Sequence, residues 1–171
     1  MTQSPHVAVL TNLSPNHLDI HKDMEEYVTA KENLYLHQTA GDTVILNLDN
    51  EITNSFVPKV KGSVLQFSRK KRPARGYFLR PDNVICRVDG DKETEIMNAG
   101  DILIPGVHNI ENYMAAFCAV DGLVSKENMA ALAKTFGGVE HRIQLVREKD
   151  GVKYYDSSID SSPSRTMAAL R

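Results

Sequence analysis

His6-Val7-Ala8-Val9-Leu10-Thr11, followed by Asn12-Leu13-Ser14-Pro15-Asn16, reads as a short buried strand running into a turn-rich loop. Outward from it, residues 24–37 read as a helix and Thr43-Val44-Ile45-Leu46-Asn47-Leu48 as a second apolar strand. Residues 63–67 and 83–88 supply a third and a fourth strand. Between positions 68 and 101 short extended runs alternate with Gly and Pro, which points to a small β-hairpin excursion. Helices follow at 110–124 and 126–135. Strands alternating with helices predict an α/β layered domain with a mostly parallel sheet. Phe136-Gly137-Gly138-Val139-Glu140 then reads as a boundary. Beyond it, apolar runs at 143–147 and 152–156 flank Lys149-Asp150-Gly151, and Asp-Gly in that setting predicts a hairpin. Ser162 and Pro163 read as the cap and first-turn proline of a helix that runs off the end at Arg171. A helix of about two turns packs poorly as a terminal element, so the chain is expected to be truncated there.

Composition narrows the function classes. The 171 residues are 42% hydrophobic and 25% charged, ordinary for a soluble globular domain. A formal net charge of -2 gives no overall basic field for nucleic acid. The run Arg69-Lys70-Lys71-Arg72 with Arg75 is short, lacks interleaved aromatics and reads as solvated surface. No apolar run approaches the roughly 20 residues of a membrane helix. The start of the chain lacks the basic and apolar regions of a signal peptide. Cys86 and Cys118 lie far apart without metal-ligand spacing and are expected to be free, buried thiols in a reducing compartment.

Lys31 is the first residue that asks for an explanation. It falls in the same helical stripe as Met24, Tyr27, Val28 and Tyr35. One account is a snorkelling stem with its ammonium in water. The other is a functional lysine in a poorly solvated place, where a neutral amine can capture carbon dioxide and become an anionic oxygen ligand for magnesium. His17 lies in the loop after the first strand, at the strand end where open α/β sheets place ligands. Asn109 is read as the cap of its helix, and Asn112, three residues on, points near the same spot. Their amides offer the donor and acceptor that an adenine edge requires.

Four blocks in order resemble the Mur ligase family. They are Thr11-Asn12-Leu13-Ser14-Pro15-Asn16-His17-Leu18-Asp19 with Ala30-Lys31, then Gly106-Val107-His108-Asn109-Ile110-Glu111-Asn112, then Phe136-Gly137-Gly138-Val139-Glu140-His141-Arg142, then Tyr154-Tyr155-Asp156-Ser157. The pairing of His-Asn-x-x-Asn with a later His-Arg resembles the D-glutamate-adding branch. The resemblance implies a truncated Mur-ligase-type central domain at 1–140, missing its phosphate loop, and the start of a Rossmann-like C-terminal ligase domain at 141–171. It implies that His17 binds Mg2+, that Lys31 is carbamylated and supports that metal, and that Asn109 and Asn112 contact the adenine of ATP. Arg142 would meet the nucleotide phosphates and Asp156 the ribose. Two departures stand out: Gln144 occupies a position the family commonly gives to an acid, and Ser158 stands where many members have lysine.

By the same resemblance the intact enzyme is a bacterial cytoplasmic ligase of peptidoglycan synthesis. It would phosphorylate the carboxylate of UDP-N-acetylmuramoyl-L-alanine with ATP and let D-glutamate attack the acyl phosphate. A sister Mur ligase, a folylpolyglutamate synthase-like ligase and a non-catalytic nucleotide-binding module remain as alternatives. No Gly-x-x-x-x-Gly-Lys-[Ser/Thr] occurs in the sequence, so the usual cradle of backbone N–H groups for phosphate is missing. The 171-residue chain by itself is therefore expected to be inactive. Phosphate release at background rate, with ATP and both substrates present, is the expected result; turnover like that of a full-length homologue would contradict it.

Overall fold

The computed structural model describes residues 3–14 and 22–158. Six strands form one sheet in the order β1-β2-β3-β4-β5-β6. They are β1 Val7–Leu10, β2 Thr43–Asn47, β3 Ser63–Ser68, β4 Arg75–Leu79, β5 Val84–Asp89 and β6 Lys92–Asn98. β1 through β4 pair in parallel, and β5 and β6 add antiparallel. The helices are α1 Met24–Glu32, α2 Glu51–Asn54, α3 Val107–Ala119 and α4 Lys126–Thr135.

Both faces of the parallel strands are covered, as their continuous apolar sequences require. In β2, Ile45 faces a core with Tyr113, Met114 and Phe117 of α3 and Met129 of α4. Its neighbours Val44 and Leu46 face the other way, onto Tyr27, Tyr35 and Phe56. The period of two along a strand thus separates two cores, one under α3 and α4, the other under α1. α1 begins with a capping exchange: Asp23 accepts from the Glu26 N–H at 2.9 Å, while the Glu26 carboxylate accepts from the Lys22 N–H at 2.7 Å. It ends at Glu32, short of the expected 37, because Leu34 and Tyr35 donate to carbonyls three residues back. That tighter turn swings Tyr35 into the core against Phe56.

The stretch read as a hairpin excursion is continuous with the main sheet. β5 and β6 do form a hairpin, but β4 lies alongside the end of β3 with Gln66 opposite Gly76, Phe67 opposite Tyr77 and Ser68 opposite Phe78. Where Gly76 faces Gln66 the two backbones come very close. Gly76, at φ 135°, allows it: a Cβ there would lie 1.9 Å from the Gln66 carbonyl oxygen. A partly buried polar cluster then ties β4 and β5 to the far end of α3. Asp121 accepts from Tyr77 Oη at 2.9 Å and from Arg87 Nε at 2.6 Å and Nη2 at 3.0 Å. Burial pushes the Asp121 carboxyl up, but the hydrogen bonds from Arg87 and Tyr77 more than reverse this and hold it below its ordinary value.

A second, two-stranded sheet is formed by β7 Gln144–Lys149 and β8 Val152–Asp156. Asp150 and Gly151 at its turn both have positive φ, as a two-residue hairpin turn demands. Cys86 and Cys118 are free and buried, as expected. The helix start at Ser162 and Pro163 lies outside the described residues.

Replacing Gly76 by alanine should cost at least about 2 kcal/mol, because backbone rather than a flexible side chain blocks the new methyl group. Urea unfolding followed by circular dichroism checks this; a midpoint unchanged from wild type would contradict it.

Candidate functional site

Parallel strands bring their carboxyl ends to one edge of the sheet, and polar residues collect there. Lys31 sits in the last turn of α1 beside a cleft of about 400 Å³ lined by residues 9–13, Tyr27, Ala30, Asn33 and Leu34. Its Nζ lies over the Tyr27 ring, 5.3 Å from the centroid. The lysine is exposed, which fits the snorkelling account of the stripe and not the poorly solvated one. The reason is local: α1 stops one residue later, so the side chain projects from a helix end, while Tyr27 and Tyr35 take the buried positions. His17 lies outside the described residues. Among the described residues, no group of three or more His, Cys, Asp and Glu side chains is placed to hold a metal ion.

Asn109 and Asn112 do come together. Asn112 Nδ2 donates to Asn109 Oδ1 at 3.2 Å, and Asn109 Nδ2 donates back to the Pro105 carbonyl at 2.6 Å. Asn109 is not the cap of α3; Gly106, at φ 102°, takes that place and no side chain caps the helix. The left-handed Gly106 starts α3 three residues earlier than expected and moves Asn109 inside the first turn. The His108 ring packs tightly over Gly106, where a Cβ would meet its Cε1 at 2.6 Å. His108 Nδ1 is buried there without a hydrogen-bond partner. The cleft beside Lys31 includes neither asparagine.

The remaining candidates meet at the entry to β7. His141 and Ile143 both have positive φ, at 63° and 49°. For the β-branched Ile143 this is a strained conformation of the kind that concentrates at functional sites. Gln144, at the departure from the family's acid, uses its Oε1 to accept the His141 N–H at 3.0 Å. Arg142 is exposed, with its backbone N–H donating to Val139. Asp156 lies 2.7 Å from His141 Nδ1 and accepts the Ser158 N–H at 2.9 Å. The contact with His141, then the Ser158 N–H, holds the Asp156 carboxyl down at about 2. Ser158, in the place of the family's lysine, thus contributes backbone rather than charge.

Sequence reading missed a polar chain along the strand ends. Asn47 Nδ2 donates to Asn12 Oδ1 at 2.9 Å, and Asn47 Oδ1 accepts the Asp49 N–H at 2.9 Å. Asp49 then accepts from Ser68 Oγ and the Arg69 N–H, each at 2.8 Å. Arg69 Nε pairs with Glu111 Oε1 of α3 at 2.7 Å. The signal was available in Asn47-Leu48-Asp49-Asn50, a polar cluster ending an apolar strand. Arg69 is accordingly not the solvated charge that the basic run suggested, and Arg72 is engaged as well, donating to the Gly90 carbonyl at 2.9 Å.

The chain thus combines an α/β sheet with a polar strand-end edge, paired amides opening a helix and a strained segment before a second sheet. A family profile described as Mur ligase middle domain matches residues 1–120, and the chain belongs to that family. The UDP-N-acetylmuramoylalanine--D-glutamate ligase of Acetivibrio thermocellus is 55% identical over 170 residues, covering 99% of this chain and 36% of that protein. The ligase of the same name from Clostridium kluyveri is 52% identical over 171 residues, covering 100% and 36%. The chain thus spans about a third of the length of the curated relatives it matches. Among solved structures, MurF of Acinetobacter baumannii superposes with a TM-score of 0.75 at 18% identity, over 96% of this chain and 36% of that one. MurF of Thermotoga maritima in complex with ADP gives 0.67 at 18% identity, over 98% and 38%. These structural likenesses carry the fold.

The Asp156 carboxyl lies below its ordinary value, so the contribution of its contacts is complete above about pH 4 and is lost as pH falls toward 2. His141→Ala should move that carboxyl back toward its ordinary range, read by carbon-detected NMR titration of Asp156. A titration curve unchanged by the substitution would show that His141 is not the cause.

Proposed function

We propose that this chain is the nucleotide-side segment of an ATP-dependent ligase that joins D-glutamate to UDP-N-acetylmuramoyl-L-alanine. The observation that carries the reading is identity of 55% running through 99% of the chain to a ligase of that name. The D-glutamate-adding relatives also align with the stretches holding the paired amides and the His141–Asp156 contact. Residues 1–140 are read as part of the central domain and residues 141–171 as the start of a second one. The β7–β8 hairpin supports that division: its Leu145, Val146, Val152, Tyr154 and Tyr155 are exposed, and two strands alone are marginal in water.

In this reading ATP phosphorylates the terminal carboxylate of the UDP-sugar substrate. The D-glutamate amine then attacks the acyl phosphate, an amide forms and phosphate leaves. Asn109 and Asn112 hold the adenine edge, because their two amides can turn one donor and one acceptor outward from the start of α3. Arg142, exposed at the strained segment, pairs with phosphate oxygens. Asp156 accepts from the ribose hydroxyls, sharing its carboxylate with His141. Lys31 fits magnesium only as a carbamate, since an ammonium repels the cation; its exposed amine beside an open cleft leaves room for that group, with His17 as the second ligand. Magnesium, when bound, supplies neutralising charge to the transferring phosphoryl oxygens. The absence of a membrane-length apolar helix among the described residues is compatible with a cytoplasmic enzyme.

Asn112→Ala in the ligase that contains this segment should raise KM for ATP about tenfold, the worth of one good hydrogen bond. KM for D-glutamate should stay near wild type. Steady-state phosphate release measures both, and an unchanged KM for ATP would remove the adenine role.

A further inference from the structure

We infer that Arg69 is a positioning residue for the base-contacting face of α3, and that the strand-end polar chain couples this face to the loop beside Lys31. The inference rests on the adenine reading of Asn109 and Asn112 given above. Glu111 lies between those asparagines in sequence, and its carboxylate is held by Arg69 Nε at 2.7 Å. Arg69 is itself fixed, because its backbone N–H donates to Asp49 at 2.8 Å while the neighbouring Ser68 Oγ donates to the other Asp49 oxygen. Ser68 Oγ also accepts the N–H groups of Lys70 at 3.0 Å and Lys71 at 2.7 Å, so the loop after β3 is closed on itself. From Asp49 the chain continues through Asn47 to Asn12 at the head of the first loop.

Burial separates this ion pair from ordinary surface pairs. The Arg69 and Glu111 side chains are 28% and 16% exposed, and Ser68 and Asn47 are almost wholly buried. A partly desolvated, charge-assisted contact is directional and resists screening better than an exposed one. α3 has no side-chain cap, and its start rests on the left-handed Gly106. Glu111, one turn inside, is therefore where the strand-end network grips the helix. A rotation or slide of α3 that carried the asparagines away from a base would have to break the Arg69–Glu111 contact. The device serves orientation of the nucleotide base and leaves the chemical step to other groups.

The test uses the ligase that contains this segment, with ATP and GTP as alternative substrates. Arg69→Gln, which keeps most of the stem, should raise KM for ATP and narrow the ATP-over-GTP preference in kcat/KM at least fivefold. The melting temperature and KM for D-glutamate should stay near wild type. The exchange Arg69→Glu with Glu111→Arg should recover more of the preference than either single change. Three outcomes would overturn the inference. Base preference unchanged by Arg69→Gln, while Asn112→Ala alters it, reduces the contact to a surface ion pair. A parallel loss of melting temperature, kcat and every KM makes it a folding contact. An Asn112→Ala enzyme with unaltered nucleotide kinetics removes the base site itself, and the role of Arg69 with it.

Discussion

The parallel pairing of β1, β2 and β3 constrains everything else in this molecule. β2 lies between two parallel neighbours and is almost wholly buried, so its backbone polar groups are satisfied along the ladder or at its ends. Because the strands run the same way, their carboxyl ends converge on one edge. The side chains at and just beyond those ends, Asn12, Asn47, Asp49 and Ser68, then hydrogen-bond in series, with Asn47 and Ser68 buried. Asp49 is the junction: one carboxylate binds the loop after β3 through a hydroxyl and a backbone N–H.

The opposite end of α3 is secured by different chemistry. The Asp121 carboxylate near the helix end is answered by Arg87 and by the Tyr77 hydroxyl, on neighbouring strands. A negative charge beside a helix C-terminus is unfavourable by itself, and the bidentate guanidinium offsets it. α3 is thus gripped through Glu111 near its start and beside Asp121 beyond its end, with Tyr113, Met114 and Phe117 buried against the sheet between. A helix held at both ends can present paired amides at a fixed orientation.

The region before β7 has another character. Positive φ at His141 and at the β-branched Ile143 departs from the ease of the main sheet, and few apolar contacts compensate. Local hydrogen bonds hold it instead: the Gln144 side-chain Oε1 accepting the His141 N–H, and Asp156 against the His141 ring. Segments held mainly by exposed hydrogen bonds open locally more easily than a packed sheet does.

Hydrophobic period and turn chemistry by themselves determined the α/β class, β1 to β3, α4 at 126–135 and the hairpin around Asp150-Gly151, because those signals are local and belong to the chain whatever it packs against. The order of the motif blocks singled out Asn109, Asn112, Arg142 and Asp156 as candidates, by resemblance and not by any local physical signal. Only tertiary structure decided that the 68–101 stretch joins the main sheet, since that depends on a backbone approach at Gly76 which no propensity encodes. It also decided that Gly106 rather than Asn109 starts α3, that Lys31 is exposed at a helix end, and that Arg69 pairs with Glu111. Each of these outcomes is set by contact between residues distant in sequence or by the point at which a helix stops. A one-dimensional pattern carries the energy of neither.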